Sequence, residues 1–127
     1  MCGSPQFFIC KACSNIVLFI ENKGVLLSCC GDDMDELVPN TVEASREKHL
    51  PAVTVSGDSI NVQVGSALHP MDAAHNIPFV YVETGSGGQG KCLKVGDEPK
   101  VRFSFADEKP VAVYAYCNLH GLWKTKV

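Results

Sequence analysis

Two groups of residues in this chain have the types and spacing for chemistry. The first is cysteine: Cys10-Lys11-Ala12-Cys13 is followed fifteen residues later by the adjacent pair Cys29-Cys30. A Cys-x2-Cys step and a second pair at this separation have the spacing of a tetrathiolate metal site. Ordinary reduced core cysteines would need a core, and a segment of about 35 residues barely has one. A metal would supply the missing stability, because binding free energy at such a site becomes folding free energy. Adjacent cysteines cannot approach a metal with the relaxed geometry of Cys-x-x-Cys, so a distorted tetrahedron is expected. Soft thiolates accept zinc and iron alike, and the spacing does not choose between them.

The second group is spread through the rest of the chain. Tyr116-Cys117-Asn118-Leu119-His120-Gly121 puts a thiol and, three residues on, an imidazole at the end of an apolar alternating segment. The other histidines are His49, before Leu50-Pro51, and His69 and His75, in a stretch containing Gly65, Pro70 and Pro78. A single histidine in a loop is ordinarily a structural or surface residue. Four in loops, with a cysteine at a strand end, form a ligand set, since loops on a rigid β scaffold are where sites are built. Four imidazoles and one thiolate make five donors, one short of an octahedron. That number suits a redox-active iron with an open position for a small substrate, whereas tetrahedral zinc would leave a donor unused.

These residues need elements to hold them. The chain has 127 residues, 46% of them hydrophobic, enough for one ordinary domain or one plus a small module. Five of its seven cysteines fall in the first thirty residues, which points to a metal module over 1–37 and a larger body over 38–127. In the module, strands are expected over Gln6–Ile9, Ile16–Ile20 and Val25–Leu27, the last two paired across Asn22-Lys23-Gly24. That hairpin would return Cys29 and Cys30 to the Cys10/Cys13 end. Leu37–Asn40 reads as the link, and Thr41–Arg46 as one helical turn capped by Asn40 or Thr41. Pro51 biases Leu50 away from helix and so places His49 on a loop.

From Ala52 onward the pattern is antiparallel β, with strands at Val53–Val55, Ile60–Val64, Phe79–Glu83, Lys91–Lys94, Val101–Phe105 and Val111–Tyr116. Gly57-Asp58, the Gly-rich turn Gly85–Gly90, Gly96–Pro99 and Asp107–Pro110 separate them. The fold class is mainly β, with an immunoglobulin-like antiparallel sandwich or small barrel after the metal module. No repeat or low-complexity segment occurs. The net charge of −3, with scattered Lys and Arg, gives no nucleic-acid or anionic-membrane surface. No stretch approaches the roughly 20 apolar residues of a membrane span, and the N-terminus lacks signal-peptide character, so a cytoplasmic protein with reduced thiols is expected. Cys2 and Cys92 fit neither donor set; a terminal thiol and a small buried hydrophobe are the expected readings.

With Leu37-Val38-Pro39-Asn40-Thr41-Val42, Glu47-Lys48-His49, His69-Pro70-Met71 with His75, and Tyr116–Lys124 added to the cysteine spacing, the chain resembles the desulfoferrodoxin form of superoxide reductase over essentially its whole length. The resemblance implies a desulforedoxin-like module with iron on Cys10, Cys13, Cys29 and Cys30. It also implies a second, square-pyramidal iron with His49, His69, His75 and His120 equatorial and Cys117 axial. Two irons per chain, no organic cofactor, a homodimer and a rubredoxin electron donor are further implications. Superoxide would be reduced to hydrogen peroxide. Lys48, as an ammonium at the mouth, would attract the anion, and Glu47 would take the sixth position once product has left. The sequence departs from the family at Ser14, where a glycine is usual, and at Asn76 and Phe79, where bulkier aromatics are common. The competing readings are an electron-transfer protein in which only the cysteine module is redox-active, and a zinc-stabilised scaffold.

Overall fold

The computed structural model describes residues 3–127, so Cys2 lies outside the described residues. The chain divides between Val38 and Pro39 into two compact units.

In the first unit, β1 (Phe7–Ile9) lies between β2 (Ile16–Leu18) and β5 (Asp35–Glu36), both antiparallel to it. A separate two-residue ladder joins β3 (Ser28–Cys29) to β4 (Asp32–Asp33). The expected hairpin between Ile16–Ile20 and Val25–Leu27 is therefore not formed. Gly24 does turn the chain, at φ +86° and with its N–H donated to Asn22 Oδ1. Val25 and Leu26, however, are 79% and 69% exposed and join no strand. Their apolar character reads as a strand in sequence, but no neighbouring strand offers them a buried face.

The second unit is a two-sheet sandwich. One sheet has the order β10 (Lys100–Ser104), β7 (Ser59–Val64), β6 (Pro51–Ser56); the other is β12 (Gly121–Lys126), β11 (Pro110–Cys117), β8 (Phe79–Thr84), β9 (Gly88–Cys92). Strand alternation sends Ile60, Val62, Val64 and Phe103 from the first sheet, and Val80, Val82, Val113, Ala115 and Cys117 from the second, into one core. Full burial of each such side chain contributes about 1.5–3 kcal/mol. Cys117 is thus the last inward residue of β11, fixed by the same period that fixes Val113.

The Gly-rich stretch is not only a turn, because Gly88 and Gly90 belong to β9. A Cβ on Gly88 would lie 2.3 Å from the Tyr81 hydroxyl, and one on Gly90 3.4 Å from the Tyr81 ring. The glycines make room for that side chain. Strand β9 is an edge, and Cys92 on it is exposed rather than buried. Gln89 and Lys91 donate from this edge to the Ser104 and Arg102 carbonyls of β10, closing one side of the sandwich with side chains.

The only helix among the described residues is α1 (Arg46–His49). It starts at Arg46, the last residue of the segment expected to be helical, and His49 ends it instead of lying on a loop. Pro51 accounts for the stop: Leu50 is extended at ψ 126°, one residue beyond His49.

Candidate metal centres

The first centre is built by two turns. Cys10 Sγ approaches the Cys29 carbonyl at 3.6 Å; Cys13 Sγ is 3.7 Å from Cys29 Sγ, and Cys29 Sγ is 4.0 Å from Cys30 Sγ. Disulfides need about 2.05 Å. Four sulfurs about 2.3 Å from one ion at tetrahedral angles stand roughly 3.8 Å apart. The observed spacing therefore fits a single metal among free thiols.

Neighbouring cysteines can both turn inward because Cys30 has φ +53°, followed by Gly31 at +83°. In extended backbone they would face opposite sides. The first turn closes with the Ser14 N–H on the Cys10 carbonyl at 2.8 Å, and Ser14 takes φ +66°. The Cys13 backbone N–H brings the Cys10 thiol down to about 7, against the effect of burial. Hydrogen bonds with the Cys10 and Cys13 sulfurs push Cys29 up to about 12. Four sulfurs this close cannot all ionise without a cation between them.

At the second centre, donor atoms of His49, His69, His75 and Cys117 all lie within 4.8 Å of one another. His120 joins them, its Nδ1 3.1 Å from His49 Nε2 and 3.8 Å from Cys117 Sγ. His75 Nε2 is 3.2 Å from Cys117 Sγ. Metal–nitrogen bonds of about 2.0–2.1 Å and a metal–sulfur bond of about 2.3 Å, at right angles, put neighbouring donors roughly 2.8–3.1 Å apart.

Tautomers follow from the outer partners. His49 Nδ1 donates to the Ser45 carbonyl at 2.6 Å and His69 Nδ1 to the Pro70 carbonyl at 2.7 Å. Each Nε2 then carries a lone pair. His69 Nε2 is the only buried side-chain nitrogen or oxygen among the described residues without a partner. A buried acceptor left empty costs about 1–3 kcal/mol, and a metal removes that cost. Burial also lowers the pKa of His69 to about 4 and depresses that of His49, so both imidazoles are neutral at pH 7, the form that can bind a metal. Burial raises the Cys117 thiol, while the N–H groups of Leu119 and His120 pull it back toward the thiolate. The residues present fit a bound metal at both centres.

Comparison with known proteins agrees. The desulfoferrodoxin family model matches residues 41–126. The chain belongs to the desulfoferrodoxin family. It is 38% identical to a desulfoferrodoxin homolog of Archaeoglobus fulgidus, over 94% of this chain and 95% of that one. With the desulfoferrodoxin of Nitratidesulfovibrio vulgaris it shares 36% identity over 95% of each chain. The crystal structure of the superoxide reductase from Treponema pallidum superposes with a TM-score of 0.84 at 34% identity, covering 98% of this chain and all of that one.

Glu47 and Lys48 are exposed on α1, beside the candidate ligand His49. Their backbone is pinned, for the Glu47 carbonyl accepts from Ala67 N at 3.1 Å and Ser66 Oγ at 3.3 Å. A Cβ on Gly65 would fall 2.3 Å from the same carbonyl oxygen and 2.8 Å from the Lys48 carbonyl carbon. The helix that carries the charged pair therefore rests on a glycine. Phe79 stacks on Tyr116 at 5.7 Å, and Asn76 is held in backbone hydrogen bonds.

Sequence reasoning did not single out Trp123. Its buried ring stacks on His49 at 5.0 Å and its Nε1 donates to the His120 carbonyl at 3.1 Å, bracing two imidazoles at once. The signal was present: one tryptophan in the chain, three residues after His120.

Proposed function

We propose that the chain reduces superoxide to hydrogen peroxide, O2•− + e− + 2H+ → H2O2, and so acts as a superoxide reductase that removes superoxide. In this reading one iron is held by His49, His69, His75, His120 and Cys117 and a second by Cys10, Cys13, Cys29 and Cys30. The convergence of five soft and borderline donors, the unpartnered Nε2 of His69 among them, carries this reading. The mixed thiolate–imidazole set supports iron, since four-coordinate zinc would leave a donor idle. Bound ferrous iron supplies the electron.

The chain's own residues do the rest. Cys117, fully buried in the sandwich core, is shielded from water on the sulfur side, so substrate enters past the half-buried His75 and His120. Lys48, exposed and one residue from His49, draws the anion in and offers its Nζ–H groups to the oxygens. Glu47, exposed beside Lys48, would be the carboxylate that replaces product at the site. Reducing equivalents come from a rubredoxin-type donor, and the protein works as a cytoplasmic homodimer. The tetrathiolate iron relays electrons or staples residues 1–37. No helix among the described residues is long and apolar enough to cross a membrane.

The test is stoichiometric. Protein loaded anaerobically with ferrous iron, after iron and zinc per chain are measured, is mixed with superoxide. A reductase yields one peroxide per superoxide and no dioxygen. One peroxide per two superoxides, with dioxygen released, would make it a dismutase. No reaction from protein holding iron at both sites would leave an electron-transfer protein, and zinc that persists through ferrous reconstitution a scaffold.

A further inference from the structure

The loop that carries His75 belongs to no strand or helix, yet each backbone polar group from Ala74 to Asn76 is paired. Asp72 supplies half of the partners. Its Oδ1 accepts from Ala74 N at 3.1 Å and His75 N at 2.8 Å, and its own N–H donates to the His75 carbonyl at 3.0 Å. Asn118 supplies the other half. Its Nδ2 donates to the Ala74 carbonyl at 3.0 Å, its Oδ1 accepts from Asn76 N at 2.9 Å, and its N–H donates to the Asn76 carbonyl at 3.2 Å. Asn118 is exposed and makes these contacts over 42 and 44 residues of sequence. It also follows Cys117 directly, on the turn between β11 and β12 that delivers His120.

We propose that Asn118 is a positioning residue for the second metal centre, stapling both flanks of His75 to the turn that bears Cys117 and His120. The argument is geometric. Three donors of the centre, Cys117, His75 and His120, then move as one body, with His75 Nε2 held 3.2 Å from the sulfur. Without the side chain, the backbone of Ala74, His75 and Asn76 keeps its Asp72 contacts and one link to the turn after β11, from the Asn118 N–H to the Asn76 carbonyl. Outer partners that orient ligands in this way typically account for roughly 10–100-fold in metal affinity. The inference rests on the ligand set proposed above and not on the substrate.

Asn40 provides a matched control. It too is exposed, its side chain makes two hydrogen bonds to the backbone of Lys124 (2.9 and 3.2 Å), and its N–H donates to Leu122. None of these partners is a ligand. Because Asn40 has φ +62°, its side chain is best removed as Asn40→Gly.

The experiment uses full-length ferrous-loaded protein and follows iron transfer to a chelator; a Cys13→Ser variant identifies the tetrathiolate phase. Asn118→Ala is expected to weaken retention at the histidine site about 10–100-fold and to shift the thiolate-to-iron absorption of the oxidised site. The tetrathiolate phase should stay unchanged. Asn118→Asp keeps the bond from Asn76 N but sets a carboxylate oxygen against the Ala74 carbonyl, so its retention should fall between wild type and Ala. It also serves if the Ala variant does not fold. Asn40→Gly should hold both irons as wild type does. Retention within twofold of wild type and an unshifted absorption in Asn118→Ala would overturn the proposal, as would equal loss in Asn40→Gly. Wild-type protein that holds the iron but ignores superoxide would overturn the proposed function and leave this inference standing.

Discussion

Stripped of metal, the sandwich should lose stability in acid through His69. The imidazole is 2% exposed, its Nε2 has no partner, and burial takes its pKa from the ordinary 6.5 to about 4. A depressed folded-state pKa means the unfolded chain binds the proton first. Stability is thus complete above pH 6.5, falls as pH drops below it, and is fully lost near the folded value. Linkage between 6.5 and 4 gives a loss of about 1.4 kcal/mol at pH 5.5 and about 2.6 kcal/mol at pH 4.5. The half-buried neighbours His75 and His120 open the site to water, and screening reduces both figures by roughly half, to about 0.7 and about 1.3 kcal/mol. His49, depressed by the same burial, acts in the same direction. Trp123 is the only tryptophan and stacks on His49, so its fluorescence reports this unit alone. Urea unfolding of metal-free wild type and His69→Gln should be compared from pH 7.5 to 4.5. Wild type should lose more stability than the variant, with the gap opening below pH 6.5. Parallel curves would show that the buried lone pair is not what resists protonation.

Four further outcomes follow from the structure. Lys48→Ala should slow superoxide capture and flatten its dependence on ionic strength, read by rapid mixing at several salt concentrations; an unchanged salt slope removes Lys48 from the steering. Gly65→Ala forces a methyl group against the Glu47–Lys48 peptide and should cost about 1–3 kcal/mol in urea unfolding while reproducing part of the Lys48→Ala defect. Ser14→Gly relieves a left-handed serine and should raise the stability of residues 1–38 by about 1 kcal/mol, visible as slower release of the tetrathiolate metal to a chelator. Cys29→Ser should abolish metal at the first centre and leave the histidine centre loaded, as metal counts per chain would show.

The donors were legible in the sequence and their supports were not. Cysteine spacing and histidines between strands are local patterns, and alternation in β11 placed Cys117 at a strand end. The strand order in the first unit was misread because Val25-Leu26-Leu27 has the composition of a strand while lying exposed; composition reports what could be buried, not whether a partner exists. The α1 helix was shifted because four residues carry almost no propensity signal, and it is held by tertiary contacts to the Glu47 carbonyl. Asn118, Asp72 and Gly65 act through backbone groups, Asn118 on partners 42 and 44 residues away, and no side-chain period records such contacts.

The two centres solve ligand convergence in different ways, and the difference follows from donor chemistry. Thiolates repel one another; the Cys13 backbone N–H lowers the Cys10 thiol while the Cys10 and Cys13 sulfurs raise that of Cys29, so the four do not ionise together. Such a site closes only around a cation, so two short turns with left-handed residues at Ser14 and Cys30 suffice to present it. Neutral imidazoles do not repel, and they can be gathered before any metal arrives. Gathering them requires rigid supports: backbone carbonyls at Ser45 and Pro70 for the tautomers, Trp123 against His49, and the end of β11 beneath Cys117. The unpartnered Nε2 of His69 fits that preorganisation, for this buried lone pair lies among the other donors and no protein group claims it.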